Sequence, residues 1–102
     1  MTQQVESKEI LNCLRKYRKA RGLKQSEVAT IMGLRYASEI SRWENGTSLP
    51  NTMTVLKLAA LYRVMVEALF PDLVRQYRSD LVERENQALP RRVIQSPVID
   101  SD

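Results

Sequence analysis

The sequence predicts an all-α fold for this chain, and three observations support that prediction. Glycine occurs only three times in 102 residues, whereas Ala, Leu, Lys and Arg are common. Apolar residues recur three or four positions apart along most of the chain, and no alternating pattern typical of strands persists. We therefore expect a compact domain of five helices, followed by an additional C-terminal helix and a short tail.

The first helix is predicted over residues 7–21. Ser7 is suited to cap this helix, because its hydroxyl accepts a hydrogen bond from a backbone N–H group of the first turn. One stripe at helical spacing, which is expected to face the core, is formed by Ile10, Leu14, Tyr17 and Arg21, joined by Leu11. The glycine that follows residue 21 is expected to end the helix.

Two short helices joined by a glycine follow. Helix 2 is predicted over 25–32 and helix 3 over 37–45, with Gly33 between them because the turn requires a left-handed backbone. Ile40 and Trp43 are three positions apart and are expected to face the core. The residues of helix 3 that are expected to face away from the core are Ser38, Glu39, Ser41, Arg42 and Asn45.

The fourth helix is predicted over 52–62, with Asn51 as its cap, and a short fifth helix over 66–70. The residues before helix 4, 47–50, are predicted to form a loop, because Pro50 disfavours helix at Leu49. The side chains expected to face the core are Val55, Leu56, Leu58, Ala59 and Tyr62 in helix 4, and Val66, Leu69 and Phe70 in helix 5.

The last helix is predicted over 72–87, directly after Pro71, which suits a first helical turn. Leu73, Tyr77 and Leu81 recur every four residues and form an apolar stripe that a five-helix core does not need. This stripe either packs back on the domain or meets another chain. The predicted organisation is a flexible N-terminus (1–6), a five-helix domain (7–70), a C-terminal helix for dimerisation or partner contact (71–89) and a disordered tail (90–102). The tail contains two apolar pairs, Val93-Ile94 and Val98-Ile99, so an extended arm that binds a partner is the alternative.

The charge distribution favours a polyanionic partner and disfavours enzyme chemistry. The net charge is +4, and six basic residues lie between Arg15 and Lys24 without an acidic one. The chain has no histidine and a single cysteine, Cys13, so it lacks the usual general base, the common zinc ligands and any internal disulfide. We expect no catalytic residues, no metal and no cofactor. No signal peptide or membrane-spanning run is seen, so a cytoplasmic location without membrane contact is expected.

The ordered motifs between residues 14 and 70 resemble those of the phage-repressor (Xre/Cro-like) helix-turn-helix family. The matching residues are Leu14, Tyr17, Arg18, Arg21, Gly22, Leu23, Lys24, Gln25, Glu27, Val28, Ala29, Gly33, Leu34, Ile40, Ser41, Arg42, Trp43, Glu44, Asn45, Gly46, Leu49, Pro50, Leu56, Lys57, Leu58, Ala59, Val64, Leu69 and Phe70. The resemblance implies a five-helix DNA-binding domain that places helix 3 in the major groove.

The resemblance also implies a role for individual residues. Base contacts are expected from Arg35, Tyr36, Ala37, Ser38, Glu39 and Arg42, of which Arg42 is suited to guanine. Phosphate contacts are expected from Arg18, Lys24, Gln25, Asn45 and Thr47, with backbone N–H groups around 45–47 as a further phosphate site. Arg18 and Glu44 are expected to form a structural pair. For Arg42, a surface pair with Glu39 is the structural alternative.

The sequence departs from the family pattern in three places. From Gly33 to Ile40 there are seven steps where the family usually has six, so Arg35, Tyr36 and Ala37 all remain candidates for the leading base contact. Lys24 stands where Ser or Thr usually caps helix 2, and a poor cap costs about 1 kcal/mol. Before helix 5, the residues at 63 and 65 replace the usual Gly and Ser or Asp, so that loop should differ in shape and helix 5 should lack a side-chain cap.

Two hypotheses of function follow. The first is a sequence-specific transcriptional regulator that binds double-stranded DNA, a repressor that recognises a palindromic operator as a homodimer. The second is an antitoxin-like or adaptor module that holds a protein partner through residues 71–102. An enzyme is not expected, because no arrangement of nucleophile and base is visible.

Overall fold

A computed structural model describes residues 9–90, which contain six helices and no strand. The helices are α1 (Leu14–Ala20), α2 (Gln25–Met32), α3 (Ser38–Asn45), α4 (Thr52–Tyr62), α5 (Val66–Leu69) and α6 (Pro71–Ala88). The all-α prediction is therefore confirmed. None of the helices within 9–90 is both long enough and apolar enough to cross a membrane.

The bounds of α2 and α4 are the predicted ones, because strong local signals define them. Gly33 ends α2 with a left-handed backbone, φ 78°. The side chain of Asn51 caps α4 by accepting a hydrogen bond from the Thr54 N–H at 2.8 Å. At the start of α2, the Lys24 side chain makes no cap, but the Glu27 carboxylate accepts a hydrogen bond from the Lys24 N–H at 2.8 Å. This bond offsets part of the expected capping loss.

The prediction for the first helix is wrong at its start. Residues 10–13 are not helical, because their backbone bonds to distant elements: Ile10 N–H donates to Gly46 and Cys13 N–H donates to Leu69. The Asn12 side chain accepts a hydrogen bond from the Leu14 N–H at 3.0 Å. It therefore takes the capping role that was expected of Ser7. Ser7 lies outside the described residues. The predicted N-terminus 1–6 and residues 91–102, which include the apolar pairs of the tail, also lie outside them.

The hydrophobic core is formed by residues from α1 through α5 and by Phe70. Its buried apolar residues are Leu14, Val28, Ala29, Ile40, Leu58, Ala59, Tyr62, Leu69 and Phe70. Trp43 and Leu73 are among the half-buried residues that pack against it. The core therefore draws on each of the first five helices, as expected for the domain that positions α3.

Three side chains that were predicted to face the core are exposed. Leu11 is exposed because its segment is not helical, so the predicted stripe does not continue through it. Leu56 lies on the solvent side of α4, since Val55, Leu58 and Ala59 already occupy the side that meets the core. Val66 begins a helix of a single turn, of which only the C-terminal end is buried.

Helix α6 leaves the core after its first turn. Leu73 and Val74 are half-buried, whereas every described residue from 75 onward is exposed. Tyr77 and Leu81 have exposed fractions of 54% and 58%. The alternative in which the apolar stripe of this helix packs back on the domain is therefore wrong beyond its first turn.

The loops around α3 and α5 show how the departures from the family pattern are accommodated. The extra residue after Gly33 lengthens the turn, so that α3 begins at Ser38 and Ala37 precedes it with a nearly helical backbone, φ −71° and ψ −13°. Arg63 adopts a left-handed backbone, φ 63°, at the position where the family usually has glycine. Helix α5 has no side-chain cap, as its sequence predicts.

Gly46 is required where the N-terminal segment crosses the end of α3. Its φ is +81°, and an added Cβ would lie 2.6 Å from the backbone N of Ile10 and closer still to the Ile10 carbonyl oxygen. Gly33 has a similar φ of +78° but has no atom within 4 Å of an added Cβ. An added side chain would therefore meet backbone strain at both glycines, but steric overlap only at Gly46.

We predict that Gly46→Ala lowers the free energy of unfolding by about 1–3 kcal/mol more than Gly33→Ala does, because only the former creates an overlap. Gly33→Ala pays the left-handed backbone cost alone, about 1–2 kcal/mol. Urea unfolding followed by circular dichroism measures both values. Equal losses for the two variants would contradict the close approach of Ile10 to Gly46.

Candidate nucleic-acid interface

Helix α3 presents a polar face to solvent while its apolar face is anchored in the core. Ile40 is buried and Trp43 is half-buried against the core, as predicted. On the opposite side, Ser38 and Arg42 are exposed and Glu39 is half-exposed. Ion pairs within residues 9–90 do not include one between Arg42 and Glu39. The Arg42 guanidinium is thus available to an external partner.

The turn before α3 separates the three candidates for the leading contact. Arg35 and Tyr36 are both exposed, and Tyr36 has an exposed fraction of 64%. Ala37 is half-buried and packs against the core. The geometry therefore favours the first two residues over Ala37 for an external contact.

A single buried carboxylate joins α1, α2 and α3. The Glu44 side chain is 1% exposed, and Arg18 donates to it twice, at 2.5 Å to Oε2 and at 3.1 Å to Oε1. Gln25 Nε2 donates to the same Oε1 at 2.9 Å. Arg15 Nε lies 3.3 Å from that oxygen. The structure therefore places the expected partners Arg18 and Glu44 in direct contact.

The donors around Glu44 control its ionisation. Burial by itself favours the neutral acid, but the hydrogen bonds from Arg18 and Gln25 outweigh it and hold the pKa of Glu44 below its usual range. Hydrogen bonding to Glu44 likewise raises the pKa of Arg18. Burial, reinforced by the negative charge of Glu44, raises the pKa of Tyr62 to about 12. The Glu44–Arg18 pair is therefore fully ionised at neutral pH.

The comparisons with known proteins identify the family. The helix-turn-helix family model matches residues 14–68, which are more than half of the chain. The chain belongs to the helix-turn-helix family of the phage-repressor (Xre/Cro-like) type. The match begins at the first residue of α1 and ends within α5. No curated protein and no solved structure matched the chain.

This helix-turn-helix protein is a DNA-binding transcriptional regulator, the kind of function that its family carries. The structure supplies the arrangement that such a function needs. Helix α2 and the glycine turn support α3, and the polar face of α3 is not covered by any described part of the chain.

Arg18 does not fit the phosphate contact that was expected of it. The residue is 8% exposed, and its guanidinium donates to Glu44 and, through Nη1, to the Leu23 carbonyl at 2.9 Å. Its charge is therefore already neutralised inside the protein. The role that the geometry supports for Arg18 is the structural one.

The other expected phosphate contacts surround the same network. Lys24 is exposed beside the start of α2, and Gln25 is half-buried with its amide on Glu44. Asn45 and Thr47 are exposed at the C-terminal end of α3. These four positions remain predictions of phosphate contact.

The backbone site expected around residues 45–47 is not supported. The N–H groups of Gly46 and Thr47 donate to carbonyls of the last turn of α3, at 3.1 Å to Trp43 and 3.1 Å to Arg42 respectively. The Thr47 hydroxyl also donates to the Arg42 carbonyl, at 3.2 Å. These donors close the end of the helix and are not directed outward.

The basic run between Arg15 and Lys24 contains both internal and exposed charges. Arg18 is buried, and Arg21 donates to the Leu61 carbonyl at 3.2 Å. The exposed cations of the run are Arg15, Lys16, Lys19 and Lys24. These four residues present their charges directly to a polyanion in solution.

Sequence reasoning did not single out two residues that fix the end of α3. Arg15 bonds to Glu44 and Asn45, and Asn12 Nδ2 donates to the Trp43 carbonyl at 3.0 Å. A signal for Arg15 was present, because it lies three positions before Arg18 and so shares a helix face with it. No local signal marked Asn12, whose partner is 31 residues away in sequence.

We predict that Glu44→Gln lowers the free energy of unfolding by about 3 kcal/mol or more at neutral pH, because it leaves the buried Arg18 without a counter-charge. The pKa of Glu44 is lowered in the folded protein, so its stabilising effect is complete above its ordinary pKa of about 4.3 and is lost as the pH falls through the lowered value. Urea unfolding at several pH values should show the gap between wild type and variant narrowing below about pH 4.3. A gap that is independent of pH would contradict an ionised Glu44 in the folded state.

Proposed function

We propose that the protein is a sequence-specific repressor that binds a palindromic operator as a homodimer, with α3 in the major groove of each half-site. The observation that carries this proposal is the exposed polar face of α3, held in place by Glu44 from behind. A side chain reads bases reliably only when its helix cannot rotate, and the network of buried donors supplies that rigidity.

The base contacts are assigned to the exposed side chains at and before the start of α3. Arg42 is suited to guanine because its fork of N–H groups matches O6 and N7. Ser38 can donate or accept, and Glu39 can accept from cytosine. Arg35 and Tyr36 extend the surface on the N-terminal side, while Ala37 is the weakest candidate because it packs inward.

Phosphate contacts position this surface on the duplex. Lys24, Gln25, Asn45 and Thr47 lie at the ends of α2 and α3 that adjoin the Glu44 network. The exposed cations of α1 add a sequence-independent attraction that decreases with salt. A single small domain makes few such contacts, which is why a dimer is proposed.

The dimer contact is assigned to α6 within residues 71–89. The exposed members of its apolar stripe are Tyr77 and Leu81. Exposed apolar stripes of this kind mark interfaces. The same stripe supports the second candidate function, an antitoxin-like or adaptor module in which residues 71–102 hold a different protein.

We predict that Arg42→Ala weakens binding to the preferred duplex by about 1–3 kcal/mol and relaxes the preference at one base position. Selection of bound fragments from a random DNA library gives the preferred sequence for wild type and variant. Lys57→Ala, on the exposed side of α4, is the matched control and should leave the preference unchanged. An unaltered preference in Arg42→Ala would remove its base-reading role, and no enrichment with wild type would overturn sequence-specific binding.

We predict that Leu81→Glu converts the dimer to a monomer, because a charge placed in an apolar contact opposes its desolvation. Sedimentation equilibrium measures the change, and DNA affinity should fall with it. Ser79→Glu adds the same charge about half a turn away on α6 and should leave the dimer intact. A Leu81→Glu protein that still sediments as a dimer would move the interface elsewhere. A wild-type monomer that binds DNA would favour the partner-binding role of α6.

A further inference from the structure

Arg15 connects two acceptors at the C-terminal end of α3. Its Nε lies 3.3 Å from Oε1 of Glu44, and its Nη2 lies 3.0 Å from Oδ1 of Asn45. The Arg15 side chain is 52% exposed, so this bridge lies at the protein surface. Because a guanidinium group has only donors, the contact requires Asn45 to turn its carbonyl oxygen toward Arg15. The amino group of Asn45, Nδ2, is then directed away from Arg15.

The neighbouring donors at this end of α3 are used within the protein. Gly46 N–H and Thr47 N–H donate to carbonyls of the last helical turn, and the Thr47 hydroxyl does the same. Asn45 is exposed, and within residues 9–90 no hydrogen bond from its Nδ2 is formed. The Asn45 amino group is therefore an outward-facing donor at this position.

We infer that Arg15 is a positioning residue for DNA binding: it fixes the amide of Asn45 so that Nδ2 donates to a phosphate oxygen. The inference rests on the proposed DNA-binding surface. It explains how Asn45, a neutral residue on that surface, presents its amino group rather than its carbonyl oxygen. An unrestrained asparagine amide presents its oxygen as readily as its nitrogen, and an oxygen facing a phosphate repels it. The same guanidinium group also bonds to Glu44 through Nε. Arg15 therefore fixes the orientation of the Asn45 amide relative to the α3 residue that joins the first three helices.

Lysine provides the matched test, because it keeps the charge of Arg15 but lacks the planar fork that spans two acceptors. We expect Arg15→Lys to bind a short mixed-sequence duplex about fivefold more weakly, the factor that one lost hydrogen bond predicts. The salt dependence of binding between about 50 mM and 200 mM should stay unchanged, since no charge is removed. Asn45→Ala should show a similar loss, and the double variant should lose no more than either single variant.

A second measurement separates positioning from a loss of fold. In ¹⁵N spectra of the folded proteins, the Asn45 side-chain amide should shift on addition of the duplex to wild type but not to Arg15→Lys. Wild-type affinity in Arg15→Lys, or additive losses in the double variant, would overturn the inference and leave the DNA-binding proposal intact. A wild-type protein that binds no duplex at low salt would overturn the proposed function and the inference together.

Discussion

The arrangement of the first three helices depends on one buried carboxylate. Glu44 belongs to α3, yet its two oxygens accept hydrogen bonds from Arg15 and Arg18 of α1 and from Gln25 of α2. A charge with 1% side-chain exposure is costly unless several donors face it. Here the donors come from both other helices, so α1 and α2 are joined to α3 at this residue. Desolvation offsets much of the attraction within such a pair, so its main consequence is a defined orientation of α3.

The non-helical segment before α1 fixes the same end of α3 by a different means. Its backbone bonds to Gly46 and Leu69, and the Asn12 amide bonds to the Trp43 carbonyl. Two types of interaction therefore converge there, a charged network on one side and neutral hydrogen bonds on the other. The first depends on ionisation, whereas the second depends on a glycine at 46 that lets the two backbones approach. The C-terminal end of the proposed reading helix is thereby fixed independently of its exposed face.

The basic residues between Arg15 and Lys24 show why charge along a sequence and charge on a surface differ. The run between Arg15 and Lys24 appears uniform, but Arg18 and Arg21 direct their guanidinium groups to acceptors inside the protein. The remaining cations are exposed and provide the long-range attraction expected of a DNA-binding surface. Arg15 is both exposed and internally bonded: its side chain is half-exposed, and it also bonds to two side chains of α3. One basic run thus supplies both internal hydrogen bonds and exposed charge.

The sequence by itself determined the fold class, the family, and the bounds of α2 and α4, because Gly33 and Asn51 act on their own neighbours in the chain. The pairing of Arg18 with Glu44 came from the family resemblance, not from spacing. Only the tertiary structure decided that α1 begins at Leu14, that Leu11, Leu56 and Val66 are exposed, and that α6 extends away from the core. Those features depend on hydrogen bonds and contacts between residues far apart in sequence, which helical periodicity does not encode. For the same reason, the contacts of Arg15 with α3 became visible only once α1 and α3 were placed side by side.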